Sequence, residues 1–306
     1  MSWADGTVTV RVPATSANLG PGFDSIGLAL TLHDQVEARI AADGGDEMEV
    51  RGTWPGSGAA RESDLIFRAM RAAFDVIGPQ PKGIALRCRN AIPQGFGLGS
   101  SAGAIVAGLL AARALAGPDG LVALPDAAML QLATELEGHP DNVAACLFGG
   151  LTIAWQAAGG RAEAVRLDPV AGLAPAVCVP AVPLSTKVAR QALPAQVTHA
   201  DAAANSARAA LLVAALTARP DLLLAGTEDF LHQRYRAAAM PASSALIDRL
   251  RSAAVAAVVS GAGPSVLAFP ADAGALATVA ELAGGDWAVL PLQVDVAGAR
   301  VVERPS

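Results

Sequence analysis

Cysteine is nearly absent: Cys88, Cys146 and Cys178 are far apart and odd in number among 306 residues. They give neither a disulfide framework nor a CxxC metal pattern, so a stapled extracellular scaffold is excluded and a reducing compartment is expected. Basic runs are also missing. The 22 Lys and Arg are dispersed among 28 Asp and Glu, with a net charge of −6, which argues against nucleic acid and anionic membrane as partners. No long apolar run exists either. The longest at helical spacing, Ala102 to Ala112, stops at Arg113, short of the roughly 20 residues that cross a bilayer. "MSWADGTVTVRV" lacks the basic segment and apolar core of a secretory signal. A cytoplasmic location without membrane association is therefore expected.

Aliphatic bulk is plentiful. Hydrophobic residues make up 53 % and aromatics only 4 %, a composition suited to small-residue helices close-packed on sheets. The length allows two domains with real cores. "TVTVRVPATSAN" alternates as a strand expected to end at Pro13, and "DQVEARIAA" and "DEMEVRG" continue the pattern. "SDLIFRAMRAAFDVIG" has helical spacing and a glycine stop. Strand "KGIALRCRNAIP" leads into a glycine-rich loop, a helix from Ser101 to Leu115, a helix "LPDAAMLQLATELEG" and a strand "LFGGLTIAWQ". The pattern then restarts. Strand "APAVCVPAV", segment "STKVARQAL", a helix from Asp201 to Ala218, helix "SSALIDRLRSA", strands "VAAVVSG" and "SVLAFP", helix "ATVAELAGG" and a final strand in "WAVLPLQVDVAGARVV" follow. The reading is two α+β halves, residues 1–160 and 161–306.

The loop "AIPQGFGLGSSAGA" carries the chemistry. A Walker loop needs a Lys-Ser/Thr pair after its last glycine, and "GSSAG" has no lysine. A dinucleotide fingerprint wants an acidic residue ending the next strand, yet around Asp119 the chain is the turn "AGPDG". A bare tight turn between strand and helix remains an alternative. Another type is Pro93, Gly97, Leu98, Gly99, Ser100, Ser101, Ala102, which resembles the ATP loop of the GHMP kinases. Glycines let successive N–H groups approach a triphosphate, and the following helix adds its dipole. "VPATSANLGPGFDSIGLAL" is similar to the first motif of that family and "VSGAGPSVLAF" to its third, in the family order from Val12 to Phe269.

The resemblance implies a two-domain α+β fold, with an N-terminal domain like domain 2 of ribosomal protein S5 and a ferredoxin-like C-terminal domain. It implies ATP held by Pro93, Gln94, Gly95, Phe96, Gly97, Leu98, Gly99, Ser100, Ser101, Ala102 and Gly103, with Asp64 near the adenine. Asp64 stands where many members have asparagine, and a carboxylate cannot donate to a base nitrogen. Gly103 stands where alanine is usual. Mg²⁺ is implied on Ser101 and Glu135, with Glu137 in reserve. "HD" at 33–34, "EGHPDNVAACLFGGL", "STKVARQALP", "NSARAALLVAAL" and "LHQRYRAAAMP" resemble the branch that phosphorylates the hydroxyl of L-homoserine in threonine biosynthesis. That implies Arg190 and Arg236 at the substrate carboxylate, Asn18, Asp24 and His139 around its amino and hydroxyl ends, and Thr186, Asp141 and Asn142 near the transfer centre. Asn142 falls where several relatives place an aspartate regarded as the base, and an amide cannot take a proton. A homodimer is left open. The rival readings are a family kinase acting on a mevalonate-like acid or a sugar, a non-catalytic nucleotide or metabolite sensor, and a dehydrogenase. "STKVAR" and "YR" favour an amino acid over a sugar, which has no carboxylate to pair. The metal-bridging pair disfavours a sensor.

Overall fold

The fold is taken from a computed structural model describing residues 3–4, 6–41, 44–52, 54 and 59–303, without the side chains of 59–63 and 186. Its strands are β1 (Val8–Asn18), β2 (Gly22–Ile40), β3 (Glu47–Gly52), β4 (Ile84–Asn90), β5 (Leu151–Gln156), β6 (Ala162–Leu167), β7 (Ala176–Pro180), β8 (Ala256–Val259), β9 (Val266–Phe269), β10 (Trp287–Pro291) and β11 (Arg300–Glu303). The helices begin with α1 (Ala59–Ile77), α2 (Ser100–Leu115), α3 (Gly117–Ala123), α4 (Asp126–Glu137), α5 (Pro140–Phe148) and α6 (Thr186–Gln191). They continue with α7 (His199–Thr217), α8 (Leu223–Gly226), α9 (Gln233–Arg236), α10 (Pro241–Ser252) and α11 (Ala273–Ala283). Among the described residues no helix is long and apolar enough to cross a membrane.

Two sheets organise the chain. The larger runs β11-β1-β2-β4-β3, with β5 pairing both β2 and β6; the smaller runs β10-β7-β9-β8. Pro13 does not end β1, because a register shift between Pro13 and Ala14 absorbs it, as a bulge accommodates a missing N–H. The glycine-rich first motif is thereby drawn into a long β1–β2 hairpin. The tail "WAVLPLQVDVAGARVV" also departs from the single strand expected. After β10 the Asp295 carboxylate accepts the N–H groups of Ala297 and Gly298, turning the chain back so that β11 pairs with β1 on the larger sheet. Strand β6, just beyond residue 160, lies on the larger sheet as well.

One core cluster joins α1, α2, α4 and α5 to the larger sheet. Helix α2, rich in Ala and Gly, is buried on nearly every side, as its all-round apolarity requires. A second cluster brings Leu28, Ile92, Phe96 and Leu98 together with Leu212, Val258 and Leu267. The apolar residues of the glycine loop are thus anchored in the core that joins the two sheets, and α10 and α11 pack against the smaller sheet.

Candidate active site

The loop between β4 and α2 is held by its carbonyls. Leu184 N donates to Gly95 O at 3.0 Å, Ser265 N to Phe96 O at 3.3 Å and Thr15 N to Leu98 O at 3.0 Å. Ser260 Oγ donates to Gly97 O at 2.7 Å. These donors come from β1, from the "SGAGPS" turn before β9 and from the stretch before α6. Meanwhile no amide from Gly95 to Gly99 has a hydrogen-bond partner among the described residues. The first helical bond of α2 runs from Gly103 N to Gly99 O, so the helix also leaves its opening N–H groups free. A row of unpaired amides at a helix N-terminus is an anion cradle. Gly97 and Gly99 adopt φ of 73° and 69°, and a Cβ on either would overlap Ser260 O or Thr15 Oγ1. Upstream, Asp34 Oδ1 accepts Ala91 N at 2.6 Å and Ile92 N at 2.9 Å, while Trp54 Nε1 donates to Ala91 O at 2.8 Å. Burial pushes the Asp34 carboxyl up to about 6 against those two bonds.

The cradle opens onto a cleft of about 90 Å³ lined by loop residues and by Asn18, Asp24, Glu137, His139, Asp141, Asn142, Arg190, Arg236, Gly261 and Ala262. Most residues expected at the acceptor end are brought together here. Asn18, at positive φ, is occupied at both ends of its amide: Nδ2 donates to Gly261 O and Oδ1 accepts Asp24 N. Arg190 grips Asp24 with both Nη atoms, at 3.2 and 3.0 Å. His139 Nδ1 pairs with Asp141 Oδ1 at 2.7 Å, and Asn142 N donates to the same oxygen. Burial alone would lower His139, but the Asp141 bond and charge, helped by Glu137, raise it above its ordinary value. Thr15 Oγ1 donates to Asn142 Oδ1 at 2.8 Å. That contact fixes Asn142 with its amide oxygen already taken.

Arg236 is 1 % exposed and lines the cleft. Its Nε donates to Ala189 O at 3.1 Å and its Nη1 to His232 Nδ1 at 3.1 Å and Gly261 O at 3.4 Å. Among the described residues it has no carboxylate partner, and Nη2 has no hydrogen-bond partner. Burial and the neighbouring Arg190 pull the guanidinium below its ordinary value. A buried cation without a counter-ion is costly unless an anion arrives.

The carboxylate beside Ser101 is Glu137, the reserve candidate, and not Glu135. Ser101 Oγ donates to Glu137 Oε2 at 2.6 Å, while exposed Glu135 accepts from Gln131 one turn back along α4. Two residues on a helix lie about 200° apart, so only one of the pair can face the cleft, and α4 presents its last residue. Burial raises Glu137, with the Ser101 bond opposing. Asp64 is exposed on α1 and outside the cleft; Pro93, Gln94, Phe96, Ala102 and Gly103 support the loop without lining it. Thr186 opens α6, and its side chain lies outside the described residues. Sequence reasoning missed α5, whose first turn carries Asp141 and Asn142. Pro140 at its first position and the Gly149-Gly150 stop are its signals. It did not single out Thr15, Ser260 and His232, which lie within the quoted motifs but act through contacts with distant parts of the chain.

The model of the GHMP kinases N terminal domain matches residues 64–150, and that of the GHMP kinases C terminal domain matches residues 209–282. The chain is 54 % identical over 295 residues to the homoserine kinase of Streptomyces coelicolor, covering 96 % of this chain and 94 % of that one. It is 48 % identical over 298 residues to the homoserine kinase of Clavibacter michiganensis subsp. michiganensis, covering 96 % and 93 %. The crystal structure of homoserine kinase from Cytophaga hutchinsonii superposes with a TM-score of 0.84 at 26 % identity, over 99 % of each chain.

Proposed function

The chain belongs to the GHMP kinase family, and on that premise we propose that it transfers the γ-phosphoryl group of ATP to the side-chain hydroxyl of L-homoserine, yielding O-phospho-L-homoserine for threonine biosynthesis. The observation that carries the acceptor is Arg236, a buried guanidinium facing the cleft without a counter-ion. A sugar would leave it unpaired, whereas an amino acid brings a carboxylate that meets it and Arg190. The free amides of Gly95 to Gly99 receive the phosphates.

Ser101 and Glu137 offer one hydroxyl and one carboxylate oxygen side by side, and among the described residues no cluster of three or more His, Cys, Asp or Glu could hold a metal alone. This donor set fits Mg²⁺, which takes one or two carboxylates and completes its shell with phosphate and water. Held there, such an ion would neutralise charge on the transferring phosphoryl group. The chain's own contribution is alignment. Arg236 and Arg190 set the carboxylate, and Asp24 and the His139–Asp141 pair face the amino and hydroxyl ends. Asn142 cannot accept a proton, and Asp141 is 2 % exposed with Oδ1 already holding His139 and Asn142 N. The hydroxyl proton therefore passes to an oxygen of the transferring phosphoryl group late in a loose transition state. A cytoplasmic location completes the reading.

A coupled assay for ADP release across homoserine, serine, threonine, mevalonate and galactose tests it. Homoserine should give the highest kcat/KM. Release with galactose or mevalonate instead would move the chain to another branch of the family, and release with none would make it a sensor.

A further inference from the structure

His232 lies outside the cleft lining, is fully buried, and has both ring nitrogens engaged. Arg236 Nη1 meets His232 Nδ1 at 3.1 Å, and His232 Nε2 meets Gly20 O at 2.8 Å. A guanidinium has only donors, so Nδ1 must be bare, and the single ring proton sits on Nε2, where it donates to the carbonyl. The ring packs on Phe23 at 5.2 Å between centroids, and the Arg236 guanidinium lies 5.4 Å from that same ring. Asp229 ties the turn down from below, its two oxygens accepting the N–H groups of Leu231, His232 and Gln233. The histidine therefore connects the first glycine motif to the arginine assigned to the substrate carboxylate.

We propose that His232 is a positioning residue for substrate recognition: as a neutral Nε2–H imidazole it holds Arg236 so that Nη2 is left for the carboxylate of homoserine. The inference rests on the reading of Arg236 given above. Protonation would set an N–H at Nδ1 against the N–H groups of Arg236 and break the hold. The charged groups around the ring are Asp229, with an oxygen 3.7 Å from Nε2, Arg236, and Asp24, which is itself paired with Arg190. Burial and Arg236 push the imidazole below its ordinary value, against Asp229 and Asp24. Homoserine affinity should thus hold at neutral pH and weaken only in acid.

With four histidines in the chain, ¹⁵N NMR of histidine-labelled protein can resolve the ring of His232, identified by its loss in His232→Asn. The neutral Nε2–H tautomer at pH 7 is expected; an Nδ1–H tautomer or a charged ring would overturn the proposal without any assay of activity. Kinetics supply the second arm. His232→Gln keeps a donor toward Gly20 and removes the acceptor for Arg236. The homoserine KM should rise at least about tenfold, the lower end for a lost hydrogen bond to a charged group, with kcat and the ATP KM within about twofold. His232→Asn places an oxygen near Nδ1 and should stay within about threefold of wild type, without the acid rise in homoserine KM. Equal damage in both variants, or a parallel rise in ATP KM, would make the residue merely structural and refute the assignment. If His232→Gln does not fold, the tautomer and the acid limb of the wild type decide. A wild type that ignores homoserine would refute the substrate reading instead, while the tautomer still judges the contact.

Discussion

The two ends of the cleft are built from different materials. The phosphate end is backbone: four consecutive carbonyls, Gly95 to Leu98, are tied to three other segments, and among the described residues the amides between them have no partner. The acceptor end is side chain: Asp24 pairs with Arg190, His139 pairs with Asp141, and Arg236 is anchored on the Ala189 carbonyl, so that residues from four separate parts of the chain line the cleft. A backbone cradle binds what every triphosphate shares and tolerates no added atom. A side-chain network can be retuned residue by residue, which is where branches of one family can diverge.

The sharpest way to break the comparison is Gly97→Ala. The new methyl overlaps Ser260 O at a φ of 73°. The backbone alone costs about 1–2 kcal/mol in the left-handed region, and the carbonyl clamp must open as well. ATP binding by calorimetry should fall at least about tenfold, together with a lower melting temperature; unchanged ATP affinity would refute a backbone-built cradle. Next in size is Glu137→Gln, which should lower kcat by roughly 10²–10³-fold, the scale of one lost electrostatic contact to the transition state, with ATP still bound. Glu135→Gln should leave kcat as it is, and the reverse pattern would return the metal to Glu135.

Asp141→Asn probes the proton. On the proposal that the site works without a general base, the homoserine KM should rise more than kcat falls. A loss of about 10³ in kcat at constant KM, within the 10²–10⁴ of a positioned base, would make Asp141 that base. The smallest effect concerns the entrance to the cradle. Asp34 stands raised from 3.8 to about 6, so its charged form disfavours folding. Its contribution is fully present below the unfolded value and lost as pH rises through about 6. Asp34→Asn keeps an acceptor for Ala91 and Ile92 without the charge. Relative to this variant, wild type should lose about 2–4 °C in melting temperature between pH 4 and pH 7; a gap independent of pH would contradict the burial argument.

The same division explains what could be read from the sequence. Gly97 and Gly99 announced the cradle because only backbone without Cβ fits there, and a local spacing records a local constraint. Helix α2, strands β3, β4 and β5 of the larger sheet and the strands of the smaller sheet were legible from periodicity, whereas β6 was not. The long β1–β2 hairpin was hidden by Pro13, which normally ends a strand but here sits at a register shift. Strand β11 was hidden because its partner β1 is nearly three hundred residues away. Glu137 was set behind Glu135 because a helix pattern says that two such residues diverge, not which one faces the loop. His232 lay within the quoted stretch "LHQRYRAAAMP" but was not singled out, because its role depends on Gly20, Phe23 and Arg236 meeting in space.

The claim that side chains read the acceptor while backbone reads the phosphates is tested most directly by one comparison of acceptors. Homoserine and 3-aminopropan-1-ol differ only in the carboxylate assigned to Arg190 and Arg236. Wild type should favour homoserine in kcat/KM by about 10–150-fold, the value of 1.5–3 kcal/mol for a hydrogen bond to a charged group. Lysine cannot reproduce the guanidinium fork, so Arg236→Lys should shrink that ratio and leave the ATP KM where it was. A ratio unchanged by the substitution, with the ATP KM raised in its place, would assign Arg236 to the nucleotide and contradict the account.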